Sequence, residues 1–177
     1  MNLLFRMAQI YIPQCVKKRK LKELFSCTAS AFECNPPEIQ GLSFGECLEK
    51  FASFTKVETE RSIRQGKDLQ IIKSRLFQNA FRIGENLRNK FRVTTIEEVM
   101  IMSRILYGIL EIDFHGAAQG EITIKRCFFS NKYSSQVCRV ISSLDEGVIA
   151  GLSGGGQFEF FERITEGKDC CKARLIA

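Results

Sequence analysis

The residues best suited to chemistry lie in the C-terminal half of the sequence. Cys127 and Cys138 are well spaced, whereas Cys170 and Cys171 are adjacent near the end of the chain. Thiolates act as nucleophiles and as ligands for soft metals. No C-x-x-C pair occurs, so a zinc-ribbon signature is missing. The open alternatives are a spatial cluster, to which only one of the adjacent pair can contribute because strand neighbours face opposite ways, and ordinary burial of each thiol as a small apolar side chain.

A carboxylate and nearby cations add to this set. Asp145 follows Cys138 at a spacing that places both side chains on nearly the same face of one predicted helix. A buried carboxylate is costly unless it meets a ligand, a metal or a cation such as Arg163, whereas a solvent-exposed one costs nothing. Asp145 is therefore a candidate base or ligand, with a surface charge as the alternative.

Two further features invite a chemical interpretation. His115 is the only histidine and ends a predicted strand. Any Ser-His-Asp or histidine-rich metal site would rest on it alone, so both a structural role and contact with a ligand stay open. The glycine-rich run at residues 153–156 follows a predicted helix, whereas phosphate binds at helix N-termini. That run predicts a helix stop and a tight turn.

Hydrophobic periodicity predicts helices in the N-terminal half. Residues 1–40 form an N-terminal arm or a first core helix. Residues 41–108 are a helical section of three helices, in which capping boxes that begin at Ser43 and Thr94 open the first and third. Asp68 opens the second helix, whose apolar residues show the clearest three-and-four spacing in the chain.

From residue 109 to the C-terminus the pattern predicts an antiparallel sheet crossed by one helix. Alternation with period two predicts a hairpin across residues 116–120. A single helix from Ser134 to the glycine run comes next, and strands at 157–164 and 170–176 complete the section. The resulting order is αααββαββ, an α+β fold in one domain over residues 1–177.

Composition and charge narrow the class of protein. The 177 residues are 45% hydrophobic and 26% charged, enough for one real core. No apolar run is long enough to span a membrane, and a basic cluster at 17–20 follows the apolar N-terminus rather than preceding it as in a secretory signal. Eight cysteines are too few for a disulfide scaffold. We expect a cytoplasmic protein with reduced thiols and no membrane partner.

The net charge of +6 is concentrated in the N-terminal half. Its cations have helical spacing among apolar residues, which is typical of a solvated helix face, and no aromatic platform or finger motif accompanies them. Nucleic acid is therefore not an expected partner. A basic helical half that docks an acidic partner protein is one remaining hypothesis.

The segment 127–175 carries a family resemblance. It contains C-F-F, Y-S-S-Q-V-C, S-S-L-D-E-G and F-E-R-I-T-E-G-K-D-C-C-K-A-R-L. This pattern resembles the L-2-amino-thiazoline-4-carboxylic acid hydrolase family and the related 4-vinyl reductase domain, a small-molecule-binding α+β module. The positions that match are Cys127, Cys138, Asp145, Thr165, Gly167 and Cys171. Members of that group hold a metal through a Cys-Glu-Cys-Cys set, and in this chain Phe160 and Arg163 stand at two of those four positions.

The resemblance implies a hydrolase that opens a cyclic C=N bond of a small sulfur-containing amino acid by adding water. The alternative is a non-catalytic module that binds a hydrophobic ligand; for either function we expect a homodimer. The candidate catalytic residues are Cys127, Cys138, Asp145 and Cys171. The candidates for substrate binding are Arg139, Arg163 and His115. A divalent metal such as zinc is a possible cofactor, with Cys127, Cys138 and Cys171 as its candidate ligands.

Overall fold

The computed structural model describes residues 12–176 and has the predicted α+β architecture. Four helices come first: α1 (Gln14–Phe32), α2 (Phe44–Arg64), α3 (Leu69–Phe91) and α4 (Ile96–Ile109). A hairpin of β1 (Ile112–Gly116) and β2 (Glu121–Cys127) follows. Two short helices, α5 (Ser135–Ile141) and α6 (Ser143–Ser153), lead to β3 (Gln157–Glu162), a 3₁₀ turn (Ile164–Glu166) and β4 (Cys171–Ile176). Over the described residues the order is ααααββααββ, with two more helices than the sequence predicted.

The first additional helix is α1, which falls within residues 1–40. Leu21 and Phe25 on α1 are almost completely buried, and Phe25 packs edge-on against Phe51 of α2 with ring centroids 5.1 Å apart. The described part of this segment is therefore a core helix rather than an arm. The arm prediction for residues 1–11 lies outside the described residues.

Helix caps explain where the other N-terminal helices begin. Ser43 forms the predicted capping box at the start of α2, and Asp68 accepts a hydrogen bond from the backbone N–H of Gln70 to cap α3. The box predicted to begin at Thr94 is wrong by one residue. Thr95 is the N-cap of α4, because its backbone is still extended and Glu98 occupies the third helical position, where it completes the box.

The second additional helix comes from a break at Ser142, where one continuous helix was predicted. Ser142 is buried, and its hydroxyl donates to the backbone carbonyl of Arg139. Serine side chains that bond to their own backbone compete with helix continuation, which accounts for the break. The glycine run behaves as predicted, since Gly154 adopts a left-handed conformation (φ +83°) that ends α6.

The four strands form one antiparallel sheet in the order β1-β2-β4-β3. Ile124 of β2 pairs with Phe114 of β1 on one side and with Cys171 of β4 on the other. These three side chains are buried, and their strand neighbours face outward. The inner face of the sheet therefore packs on the helices, and all of these helices and strands contribute to one hydrophobic core.

Helix α6 packs against α3 with backbone touching backbone. A Cβ added to Gly84 of α3 would lie 2.1 Å from the carbonyl oxygen of Val148, and one added to Gly151 of α6 would lie 2.2 Å from that of Phe81. Gly147 makes a similarly close approach to Phe77. Because real side chains cannot occupy these positions, α6 is fixed closely on α3. Within residues 12–176, none of the helices has the length and apolar character to cross a membrane.

Candidate functional site

A cavity of about 140 Å³ lies between the inner face of the sheet and helices α1, α4, α5 and α6. Most of its wall is apolar, formed by side chains such as Leu21, Phe51, Ile112, Ile124 and Leu144. Its volume is close to the roughly 150 Å³ of an engineered cavity that binds benzene. The space is therefore large enough for a small organic molecule.

The three candidate thiols Cys127, Cys138 and Cys171 all line this cavity. They come from the end of β2, from α5 and from the start of β4. Cys170 does not line it, in agreement with the expectation that only one of the adjacent pair can join such a cluster. The sequence left open whether these thiols form a cluster or are only buried separately; in the structure they line one cavity, although the helix that was expected to carry Cys138 is broken at Ser142.

The environment of the three thiols favours their protonated form at neutral pH. Burial raises the pKa of Cys127 to about 12, and it also raises the pKa of Cys138 and Cys171. The backbone N–H of Ile164 donates to Cys171 Sγ at 3.4 Å. Since the thiolate is the form that attacks carbon or binds metal, these side chains are poor nucleophiles at neutral pH. All eight cysteines are free thiols.

The predicted zinc ligands do not fit a metal ion. No three Cys, His, Asp or Glu side chains between residues 12 and 176 are placed so that they could hold one. Cys127 and Cys171 come from neighbouring strands and Cys138 from α5, and all three line the cavity without forming such a group. The convergence of these residues is better explained by the lining of a cavity than by coordination.

Asp145, in the first turn of α6, borders the same cavity. Burial raises the pKa of its carboxyl group to about 7, and repulsion by Glu146 acts in the same direction. The nearby hydroxyl of Tyr107 and the positive charge of Arg163 oppose this rise without offsetting it. Asp145 is therefore close to half protonated at neutral pH, which is the range useful for a general acid or base.

Tyr107 of α4 contributes a polar group that has no partner. Its hydroxyl lies in the cavity wall near Asp145, but the two do not meet the geometry of a hydrogen bond, and the Tyr107 oxygen is buried without one. The other tyrosine of the wall, Tyr133, is satisfied, because its hydroxyl lies 2.5 Å from that of Thr55. An unsatisfied buried hydroxyl costs about 1–3 kcal/mol, which a ligand atom could recover.

Among the described residues, Arg163 brings the only guanidinium group into the lining of the cavity. Its side chain is about nine-tenths buried, and its charged carbon lies 4.4 Å from the centre of the Phe160 ring. The Nε atom is 3.8 Å from Oε1 of Glu166, so the pairing with this carboxylate is loose. The guanidinium group is thus available to an anion in the cavity.

Two other predicted binding residues lie elsewhere. Arg139 is exposed on α5 and forms an ion pair with Glu166 at 2.8 Å without lining the cavity. His115 is exposed on the outward face of β1, where its Nε2 lies 2.9 Å from Asp113. Of the three side chains predicted to bind substrate, only Arg163 reaches the cavity, because the side chains of an exposed helix face and of the outer sheet face point away from it.

Sequence reasoning missed the two tyrosines of the wall. Tyr107 belongs to an apolar stripe of α4 and lies in no recognisable motif, whereas Tyr133 begins the Y-S-S-Q-V-C segment but was given no role there. The only signal was their rarity, since the chain has three tyrosines against fifteen phenylalanines. A hydroxyl placed where phenylalanine would pack equally well suggests a need for polarity.

Comparisons with known proteins do not add a family to this description. No protein-family model matches the sequence, and no curated protein matches it.

Proposed function

We propose that this protein binds a small, largely apolar organic anion in the cavity between the sheet and the helices. The volume of about 140 Å³ and the apolar wall suit a molecule of roughly the size of benzene. Binding sites for small molecules are typically apolar with a few well-placed polar groups. Here those groups are Arg163, Asp145 and Tyr107.

The observation that carries this proposal is the state of the polar groups. Arg163 is buried with only a loose carboxylate partner, and the hydroxyl of Tyr107 is buried with none. A carboxylate in the cavity would accept hydrogen bonds from such donors, and the protonated form of Asp145 would not repel it. The three thiols then serve as neutral, polarisable packing surface.

The experiment is a binding comparison between benzoate and benzamide, which have nearly the same shape but differ in charge. Isothermal titration calorimetry at pH 6 should show binding of benzoate at least tenfold tighter than that of benzamide. Isobutyrate extends the test to a smaller anion. Equal affinities would refute the role given to Arg163, and the absence of heat with all three compounds would refute the proposed function.

Hydrolysis is the second candidate function, favoured by the pKa of about 7 at Asp145. In a 2-amino-thiazoline-4-carboxylate, Arg163 would hold the carboxylate while Asp145 accepts a proton from water. The water oxygen then bonds to the C=N carbon while the π electron pair moves to the ring nitrogen, which takes the proton from Asp145. Asp145 next takes the proton of the new hydroxyl as C=O forms and the bond from this carbon to sulfur breaks. Sulfur leaves with that second proton as a free thiol, and the product is an N-carbamoyl amino acid. Asp145, rather than a thiol of the wall, is the acid–base group in this scheme, because burial keeps the thiols protonated.

The test of hydrolysis follows release of that thiol from the thiazoline with a thiol-reactive dye. Asp145→Asn should lower the rate by about a hundredfold or more. Asp169→Asn is the matched control, because it is the same substitution at an exposed residue that does not line the cavity. An Asp145→Asn variant as active as the native protein would exclude this mechanism. The expected homodimer and cytoplasmic location stay predictions, which light scattering and cell fractionation can check.

A further inference from the structure

A basic groove lies on the outer surface between α1 and α3. We use the term basic groove for the depression of about 740 Å³ that is lined by Arg19, Lys20, Lys22, Glu23, Ser26, Cys27, Ser30, Asn79, Arg82, Ile83 and Asn86. Four of these residues are cationic and one is anionic. The sequence suggested a docking face for an acidic partner, but the groove has a more specific relationship to the cavity.

The basic groove and the cavity share three lining residues, Lys20, Glu23 and Ile83. These three side chains form part of both linings, and we call them the mouth. Lys20 and Glu23 lie one turn apart on α1 and form an ion pair with Nζ and Oε2 at 2.6 Å. Both side chains are partly exposed, at 27% and 41%, so they are accessible from the groove.

Charge is distributed unevenly along this path. Lys20 and Glu23 are the charged side chains at the mouth, and Arg163 and Asp145 are those within the cavity; the rest of the lining is uncharged. For an anion that entered from the groove, Lys20 would be the cation of the mouth and Arg163 the cation inside the cavity. A cation would meet the excess positive charge of the groove first.

We infer that the ligand reaches the cavity from the basic groove through the mouth. During passage, Lys20 exchanges its ion pair with Glu23 for one with the anionic group of the ligand. The site thereby selects small organic anions through their faster rate of association. This inference rests on the proposed function. It adds a route and a gate that the cavity alone does not specify. Positive potential in a cleft raises the association rate of anions by about tenfold or more at low ionic strength.

The test uses para-fluorobenzoate and para-fluorobenzamide, with association rates taken from fluorine NMR line shapes. In Lys20→Glu, the association rate of the benzoate should fall about tenfold in low salt, whereas that of the benzamide should stay within twofold. Lys125→Glu is the matched control, because it changes the net charge equally but lies exposed on the outer face of β2, next to Ile124. It should leave both rates unchanged.

Lys20→Glu places a second negative charge one helical turn from Glu23 and could impair folding, so a milder variant is also needed. Lys20→Met keeps most of the side-chain length and should lower the benzoate rate severalfold. High salt should reduce the native rate towards that of Lys20→Met, because screening removes the attraction.

The outcomes separate the inference from the function on which it rests. Benzoate that binds the native protein at a rate insensitive to Lys20→Glu and to salt would overturn the route while the proposed function stands. An equal fall for benzamide would show that the mouth acts by steric closure, and charge selection would be refuted. No binding of either compound to the native protein would overturn the proposed function and this inference with it.

Discussion

Arg139 and Arg163 approach the same oxygen of Glu166, with their Nε atoms 2.8 and 3.8 Å from Oε1. Their surroundings differ sharply, because the side chain of Arg139 is 64% exposed and that of Arg163 only 11%. Glu166 thus holds one arginine at the surface and steadies another at the wall of the cavity. The two residues are a natural pair for separating the effect of the cavity from that of the ion pair.

Replacing Arg163 by glutamine should weaken the binding of benzoate by tenfold to a hundredfold. The change removes the charged donor from the cavity, and a hydrogen bond to a charged group contributes about 1.5–3 kcal/mol. Titration calorimetry measures the effect. Arg139→Gln serves as the control and should alter affinity less than twofold, so an equal loss in both variants would assign the effect to Glu166 instead of the cavity.

Filling the cavity should abolish binding without unfolding the protein. Val148 of α6 lines the cavity and is only partly buried, so the ring of Val148→Phe has space to enter it. We expect no detectable benzoate binding and a change in unfolding free energy within about 1–3 kcal/mol. Val57→Phe makes the same substitution at a site that is 44% exposed on α2 and should bind normally. Persistent binding by Val148→Phe would place the ligand elsewhere.

Asp145→Asn should change how stability depends on pH. The folded protein raises the pKa of Asp145 from 3.8 to about 7, so the native state binds this proton more tightly than the unfolded chain does. The resulting stabilisation is complete below about pH 4 and is lost as the pH rises to about 7. Asparagine resembles the protonated carboxyl group and does not ionise, so the variant does not lose this stabilisation as the pH rises.

The stability of Asp145→Asn relative to the native protein should therefore increase between pH 4 and pH 8, by at most about 4 kcal/mol. Urea unfolding at a series of pH values provides the measurement. A difference independent of pH would mean that Asp145 titrates near its ordinary value and is hydrated in the native state.

A methyl group at Gly84 should destabilise the protein by several kcal/mol. The Cβ of Gly84→Ala would clash with the backbone of α6 at Val148, which cannot move without separating the two helices. Gly108→Ala is the control, because that helical glycine of α4 has open space around its Cβ position. Alanine there should raise stability by up to about 1 kcal/mol, since it favours helix more than glycine does. Thermal unfolding distinguishes the two.

The parts of the fold that the sequence predicted are those governed by local rules. The capping box at Ser43 and the stop at Gly154 depend on hydrogen bonds or dihedral angles within a few residues. The break at Ser142 was missed because apolar periodicity continues across it, whereas a single buried hydroxyl decides the backbone. The box at Thr95 was misplaced because two consecutive threonines satisfy almost the same pattern.

The sequence identified site residues only where the side-chain type itself indicates reactivity or a cost of burial. Cys127 and Cys138 were recognised because thiolates are nucleophiles and metal ligands, and Asp145 because a carboxylate in an apolar segment is costly to bury. Tyr107 was not recognised, because its role depends on what lies opposite across the cavity, and a single sequence carries no record of such a distance. The same holds for Arg139 and Arg163, whose difference in burial depends on what packs around each side chain in the folded protein.

The glycine contact between α3 and α6 divides the cavity into a rigid and an adaptable side. Asp145 and Val148 lie on α6, which cannot retreat, because its backbone already touches that of α3. The wall formed by α1 instead carries Lys20 and Glu23, whose long side chains are partly exposed and can change rotamer. In a series of ligands of increasing length, added atoms should therefore be tolerated towards α1, whereas bulk added towards Asp145 should be limited to a fixed size.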